Sequence, residues 1–233
     1  MLVEWSQFTE KGLPGIQGMP SGEKKASVTI GVFDGVHRGH KALIERVVSH
    51  NAENVPVVIT FRENHKTNNK GKREKGKGKR ELLATSESNE QLAISNEQLA
   101  MSREQLTKSK EWGDIQTFEQ RVNLLETYGI KVIVVIDFNE SFRRMGGIEF
   151  LEMLIKRCNV GFFAVGSAFR CGYQLDTDAE AIQKFFTSRG VPAEIVPEVM
   201  EDSLPVSSSR IRTAIAAGNI ALAEIMLGRA LER

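Results

Sequence analysis

Short, unbroken apolar runs recur along this chain with helical stretches between them, and that alternation constrains the fold more than any other feature of the sequence. The runs are Val28 to Phe33, Val55 to Phe61, Val132 to Phe138 and Gly161 to Val165. Each is rich in Val, Ile or Phe, and none alternates apolar with polar residues, which is the pattern of parallel strands covered on both faces. A fifth run, Ala193 to Val196, follows Pro192. Lys41 to Ser49, Phe118 to Tyr128, Ile148 to Arg157 and Asp178 to Arg189 read as helices, each followed by Gly, Pro or a polar turn. The alternation predicts an α/β fold: an open, doubly wound, mostly parallel sheet with right-handed crossovers, in one domain spanning residues 1–233.

Residues 66–113 interrupt that rhythm. The segment opens with NKGKREKGKGKRE, which has almost no apolar residue and is expected to be disordered when free. A seven-residue repeat follows, SNEQLAI, SNEQLAM and SREQLTK, over residues 88–108, with Leu92, Leu99 and Leu106 at one heptad position. One reading is a short coiled coil through which the protein self-associates. The other is a duplicated low-complexity insert forming a single solvated helix. Three heptads with one clear apolar position favour the second, because short isolated helices are marginal in water. Either way the segment has the character of a loop insertion, which costs little.

Composition narrows the function classes. Lys and Arg number 31 against 30 Asp and Glu, so a net charge of +1 gives no reason to expect nucleic acid or a membrane as partner. The two cysteines, Cys158 and Cys171, are far apart and match no metal spacing, which suits a reducing compartment. The opening MLVEWSQFTEKG lacks a basic segment followed by an apolar run, and no run approaches the roughly 20 residues of a membrane span. A cytoplasmic location is expected.

Four segments carry the candidate site. Gly31 to His40, GVFDGVHRGH, lies between a strand and a helix. Gly35 and Gly39 let backbone approach a ligand, and a helix N-terminus favours phosphate. His37 and His40 are three residues apart, so both imidazoles can donate hydrogen bonds to phosphate and stabilise charge growing on a phosphate under attack. Val206 to Arg212, VSSSRIR, opens another helix. Ser207 or Ser208 is placed to cap it, and Arg210 and Arg212 to grip phosphate. Thr60 to His65, TFRENH, follows the second strand, where open α/β sheets bind ligands, so Thr60, Asn64 and His65 are candidates for contact. Gly166 to Gly172, GSAFRCG, follows the fourth strand and has the glycines of either a ligand loop or a plain turn.

Taken together and in order, these segments resemble the FAD synthetase module of the bacterial bifunctional riboflavin kinase/FMN adenylyltransferases. GVFDGVHRGH is similar to that family's first ATP motif, and TFRENH stands where the family has Thr-Phe-x-Pro-His/Gln-Pro. FEQRVNLLETYGIKVIVVIDFNESF resembles the helix, strand and loop that follow, and VGSAFRCG stands at Val-Gly-x-Asp-Phe-x-Phe-Gly. PVSSSRIRTAIAAGNIALAEIMLGR resembles the closing Ser-Ser-Thr-x-Ile-Arg helix with its Leu-Gly-Arg.

The resemblance implies a Rossmann-like fold of the HxGH nucleotidyltransferase type and transfer of AMP from ATP to FMN, with Mg²⁺ accompanying the ATP. It implies ATP contacts by Gly31, Phe33, Asp34, Gly35, His37, His40, Ser207, Ser208, Arg210 and Arg212, with His37, His40 and Arg212 catalytic. It implies FMN contacts by Thr60, Asn64, Gly166, Phe169, Gly172 and Asp178. Departures fall mainly on the flavin side or between the two substrates: Ala168 replaces Asp, Cys171 replaces the second Phe, Glu63 and His65 replace prolines, Asn64 replaces His or Gln, and Thr177 stands at a usual Gly. The chain stops just after Arg229, where the family's kinase module begins, so a lone adenylyltransferase module fed with FMN by another protein is expected. Two other readings fit parts of the sequence. One is a related transferase with another acceptor or with CTP. The other is a degenerate module that binds nucleotide without turnover, motivated by Ala168 and the heptads.

Overall fold

A computed structural model describes residues 1–13, 24–62 and 113–231. The elements in chain order are β1 (Leu2–Glu4), α1 (Trp5–Lys11), β2 (Ala26–Ile30), α2 (Arg38–Ser49), β3 (Val55–Phe61), α3 (Phe118–Thr127), β4 (Val132–Ile136), α4 (Glu140–Arg144), α5 (Gly147–Cys158) and β5 (Val160–Gly166). After them come β6 (Arg170–Cys171), a 3₁₀ turn (Tyr173–Leu175), β7 (Thr177–Asp178), α6 (Ala179–Thr187), β8 (Ala193–Val196), β9 (Met200–Glu201), β10 (Leu204–Pro205), α7 (Ser208–Ala216) and α8 (Ile220–Leu227).

Six strands form one sheet in the order β1-β4-β3-β2-β5-β8, and every pairing in it is parallel. Strand side chains alternate between its two faces, as a period of two requires. Val57, Ile59, Val132, Val134 and Ile136 join Trp5, Phe8, Leu151, Leu154, Ile182 and Phe186 of α1, α5 and α6. Val58, Ile133 and Val135 join Leu43, Ile44, Val47 and Leu125 of α2 and α3 on the other face. Burial on both sides is why these strands are unbroken apolar runs. At roughly 1.5–3 kcal/mol for each fully buried large side chain, the two layers dominate the stability. A third cluster, Val206, Ile211, Ala214, Ala223, Met226 and Leu227, ties α7 to α8.

The doubly wound sheet expected from the sequence is present. β3 and β8 match the expected ranges; β2 begins two residues earlier and ends at Ile30, because Gly31 to Phe33 leave the sheet as a turn. The sequence reading contains no element before residue 28, yet β1 extends the sheet beside β4 and α1 covers its face. Three residues are too few for a periodic signal. The insert at 66–113, with its 88–108 repeat, lies outside the described residues except for Gly113.

The chain winds from β2 through β3 to β4 on one side, and from β5 to β8 on the other. β2 and β5 are neighbours, so the order reverses between them. The crevice beyond their carboxyl ends is where such sheets bind ligands.

Candidate functional site

The turn leaving β2 is strained and heavily braced. Phe33, Gly35 and Val36 have φ of 55°, 80° and 35°. Gly35 suits its value, but a β-branched residue such as Val36 adopts positive φ only when its surroundings impose it. Five successive carbonyl oxygens are held by donors from elsewhere. Val32 O accepts from Arg121 at 2.7 Å and from Thr60 Oγ1 at 3.1 Å. Phe33 O accepts from Gln116 at 3.3 Å and Asp34 O from Ser208 Oγ at 2.8 Å. Gly35 O and Val36 O accept from Arg229, at 2.8 and 3.2 Å.

His37 caps α2: its Nδ1 accepts from the His40 backbone N–H at 3.4 Å. That bond leaves the proton of a neutral ring on Nε2. The two imidazoles stack with centroids 3.6 Å apart, and Phe33 packs on His40. His37 is buried, and burial first, then the Arg229 charge, lowers its pKa to about 4. It is therefore a neutral donor at physiological pH. Asp34 is 2% exposed and forms an ion pair with Arg212. Burial raises the Asp34 pKa, opposed by the Ile115 N–H and by Arg212.

α7 delivers the facing wall. Ser207 is its N-cap, accepting from Arg210 N at 3.3 Å, as its sequence position suggests. Arg212 is 5% exposed, and its Nε is buried without a hydrogen-bond partner. Ser207, Ser208, Ser209 and Arg212 line a cavity of about 490 Å³ together with Gly31, Phe33, Asp34, His37 and His40. Phe61, Phe138, Phe142, Met145, Phe150, Phe169 and Leu175 supply an apolar part of the lining, with Arg143 and Arg170 beside them in sequence. Phe138 and Phe142 meet edge to face at 5.6 Å, as do Phe142 and Phe150 at 5.8 Å. A pocket of this size, lined in part by polar and in part by aromatic side chains, suits a ligand that carries phosphate at one end and a flat ring system at the other.

Not every expected residue meets there. Arg210 turns to the β9–β10 hairpin, donating to Glu201 O at 2.7 Å and Leu204 O at 3.0 Å. Thr60 is buried on Val32 O and is absent from the cavity wall. Asp178 caps α6, accepting from Ala181 N at 3.0 Å, and faces Arg170 at 3.6 Å. Gly35 acts through its carbonyl and its positive φ rather than by lining the cavity. Asn64 lies outside the described residues, with Glu63 and His65. Gly166, Phe169 and Gly172 do line the cavity, as does Ala168. Gly172 has φ +82°, and a Cβ there would come within 2.1 Å of Asp176 Oδ1. Asp176 accepts from Gly147 N and Thr177 Oγ1, at 3.0 and 2.8 Å, so it caps α5 and does not stand in for a carboxylate at Ala168.

Sequence reasoning missed Arg121, Gln116 and Arg229, which brace the turn, and the aromatic wall. A lone Arg in a helix reads as a surface residue. The spacing of Phe138, Phe142 and Phe150 was the signal available for the wall. Among the described residues no three His, Cys, Asp or Glu side chains converge as a metal cage. Within them, no helix is long and apolar enough to cross a membrane.

Comparison with known proteins agrees with this architecture. A solved chain described as a macrolide-efflux protein of Streptococcus pneumoniae superposes with TM-score 0.68 at 23% identity, over 99% of this chain and 62% of that one; the likeness bears on the fold alone. The bifunctional riboflavin kinase/FMN adenylyltransferase of Escherichia coli K12 is 27% identical over 221 residues, covering 94% of this chain and 59% of the relative. Its counterpart in Bacillus subtilis is 24% identical over 210 residues, covering 89% and 54%. The chain thus spans little more than half the length of these relatives. The family model for FAD synthetase matches residues 19–210, most of the chain and all of the cavity lining except Arg212, and the chain belongs to the FAD synthetase family.

Proposed function

We propose that this chain transfers the adenylyl group of ATP to FMN, forming FAD and releasing pyrophosphate. The observation that carries the reading is one cavity at the sheet's switch point lined both by His37, His40 and Arg212 and by a cluster of aromatic side chains. The nucleotide phosphates lie against the first and the flavin ring against the second. The relatives' FMN adenylyltransferase name supports the choice of acceptor.

An FMN phosphate oxygen attacks the α-phosphorus of ATP in line; the bond to the bridging oxygen breaks, and pyrophosphate leaves with that electron pair. No covalent intermediate on the protein is needed, so positioning and charge stabilisation supply the catalysis. His37 is neutral and donates from Nε2 to α-phosphate oxygen without a proton leaving the ring. His40, stacked against it, donates beside it. Arg212, buried and held by Asp34, offers its guanidinium donors to the same phosphate oxygens from a fixed position. Ser207 and Ser209 offer hydroxyls on the same wall. Mg²⁺, expected with ATP, keeps several waters and needs few protein ligands. The cavity carboxylates that could hold it are Asp34, tied to Arg212, and Glu198.

Steady-state FAD formation by the purified protein tests the reading, with ATP against CTP and FMN against other phosphorylated acceptors. Turnover confined to ATP and FMN supports it. Turnover with another pair makes the chain a different transferase, and nucleotide binding without turnover favours the non-catalytic reading that Ala168 motivates.

A further inference from the structure

Arg229 lies at the far end of the chain from the turn it braces. Its NH2 donates to Gly35 O at 2.8 Å and to Gln116 Oε1 at 3.1 Å, and its NH1 donates to Val36 O at 3.2 Å. Gln116 passes the contact on, donating to Phe33 O. One planar group thereby grips two adjacent peptide units of the strained turn, and the next residue is His37. We infer that Arg229 is a positioning residue for adenylyl transfer, fixing the Gly35–Val36 peptides so that the His37 imidazole stays in its donor position; the inference rests on the adenylyltransferase reading above.

The geometry argues for a guanidinium and against a general structural filler. Val36 adopts φ 35°, a value that an unbraced β-branched residue leaves. Two carbonyls and an amide oxygen in a fixed arrangement match the rigid fork of Arg, whereas a Lys ammonium is a single flexible point. The fork is delivered by a rigid element. α8 ends at Gly228 with φ 70°, and Ala223, Met226 and Leu227 anchor it in the cluster shared with α7. Arg229 also faces His37 electrostatically. His40 on α2 stacks on the same ring, and the Asp34–Arg212 pair in the same cavity wall has no net charge. A cation at 229 therefore disfavours a second positive charge on His37, adding to the effect of burial.

The test uses the full chain with R229M, R229A and R229K. A misplacement of about 1 Å at a reacting group costs on the order of a hundredfold. R229M and R229A are expected to lower kcat for FAD formation by about that factor while the KM for ATP changes by no more than about threefold. R229K recovers little of it. Free guanidinium ion, and not ammonium, restores part of the R229A activity. In substrate-free protein, NMR titration places the His37 imidazole near 4, and R229M moves it toward 6.5. Unchanged kcat in R229M overturns the inference. So does a loss that guanidinium leaves untouched while the His37 titration stays where it was, the signature of a merely structural residue. If the parent protein makes no FAD from ATP and FMN, the adenylyltransferase reading falls. The imidazole titration then judges Arg229 alone: an unmoved midpoint counts against it and a raised one for it.

Discussion

Consider replacing Arg121 with Met. Arg121 is 3% exposed on α3, and its guanidinium donates to Val32 O at 2.7 Å, Phe61 O at 2.8 Å and Arg62 O at 3.0 Å. These carbonyls lie just beyond β2 and at the end of β3, at the floor of the turn that carries His37. Val32 O keeps its bond from Thr60, so the change removes charged donors chiefly from Phe61 and Arg62. At roughly 1.5–3 kcal/mol for a hydrogen bond to a charged group, two such losses come to about 3–6 kcal/mol. Relief of the buried cation offsets part of this. Burial lowers the Arg121 pKa against the attraction of Asp114 and Asp34, and its Nε has no hydrogen-bond partner. Met also packs well where the stem lay. A net destabilisation of about 2–4 kcal/mol is expected, which for a domain of this size lowers Tm by roughly 4–16 °C. Urea unfolding is the assay: the midpoint falls while the slope stays constant. Arg121→Lys keeps less than half of the difference, because one ammonium does not span three carbonyls. A loss below about 0.5 kcal/mol, the scatter of ordinary surface changes, refutes the view that this buried cation holds the strand ends together.

Three further outcomes are expected. His37→Ala and His40→Ala each lower FAD formation by about a hundredfold, the scale of losing one charge-stabilising donor; near-normal kcat in both removes them from the mechanism. Stability falls as pH drops from 6.5 to about 4, because in that window unfolded chains protonate His37 and the native state does not. The effect reaches about 3 kcal/mol and is absent above that window. Thermal melts across pH check it, and an equal slope in His37→Gln rules His37 out as the source. Ala168→Asp restores a carboxylate to the cavity wall where Asp176 and Asp178 are occupied as helix caps, and raises the FAD formation rate by about tenfold. A parent rate that the variant does not improve shows that no deficit exists at 168.

Much of the candidate site was legible because its residues announce backbone constraints. Gly35 marks a positive φ, Ser207 marks a helix cap, and two His interleaved with Gly mark a strand-to-helix turn. The misplaced residues share one cause. Arg210, Thr60 and Asp178 carry the right functional groups within the right motifs, but each found a nearer partner: hairpin carbonyls, Val32 O and the N-terminus of α6. Motif position sets which loop a side chain sits on, and local hydrogen bonding decides which way it turns.

What the sequence by itself determined is the layered α/β architecture and the place of the ligand crevice. Strands buried on both faces must be unbroken apolar runs, and in such open sheets ligands bind beyond the carboxyl ends of the strands, where GVFDGVHRGH, TFRENH and GSAFRCG lie. What only the tertiary structure decided is how the crevice is held in working shape. Arg121 and Gln116, Ser208, and Arg229 come from three separate stretches of chain to satisfy the carbonyls of a single turn. No periodicity links residue 33 to residue 116 or residue 35 to residue 229. Their contact arises because buried carbonyls must find donors, and those donors reach the turn only once α3, α7 and α8 have packed.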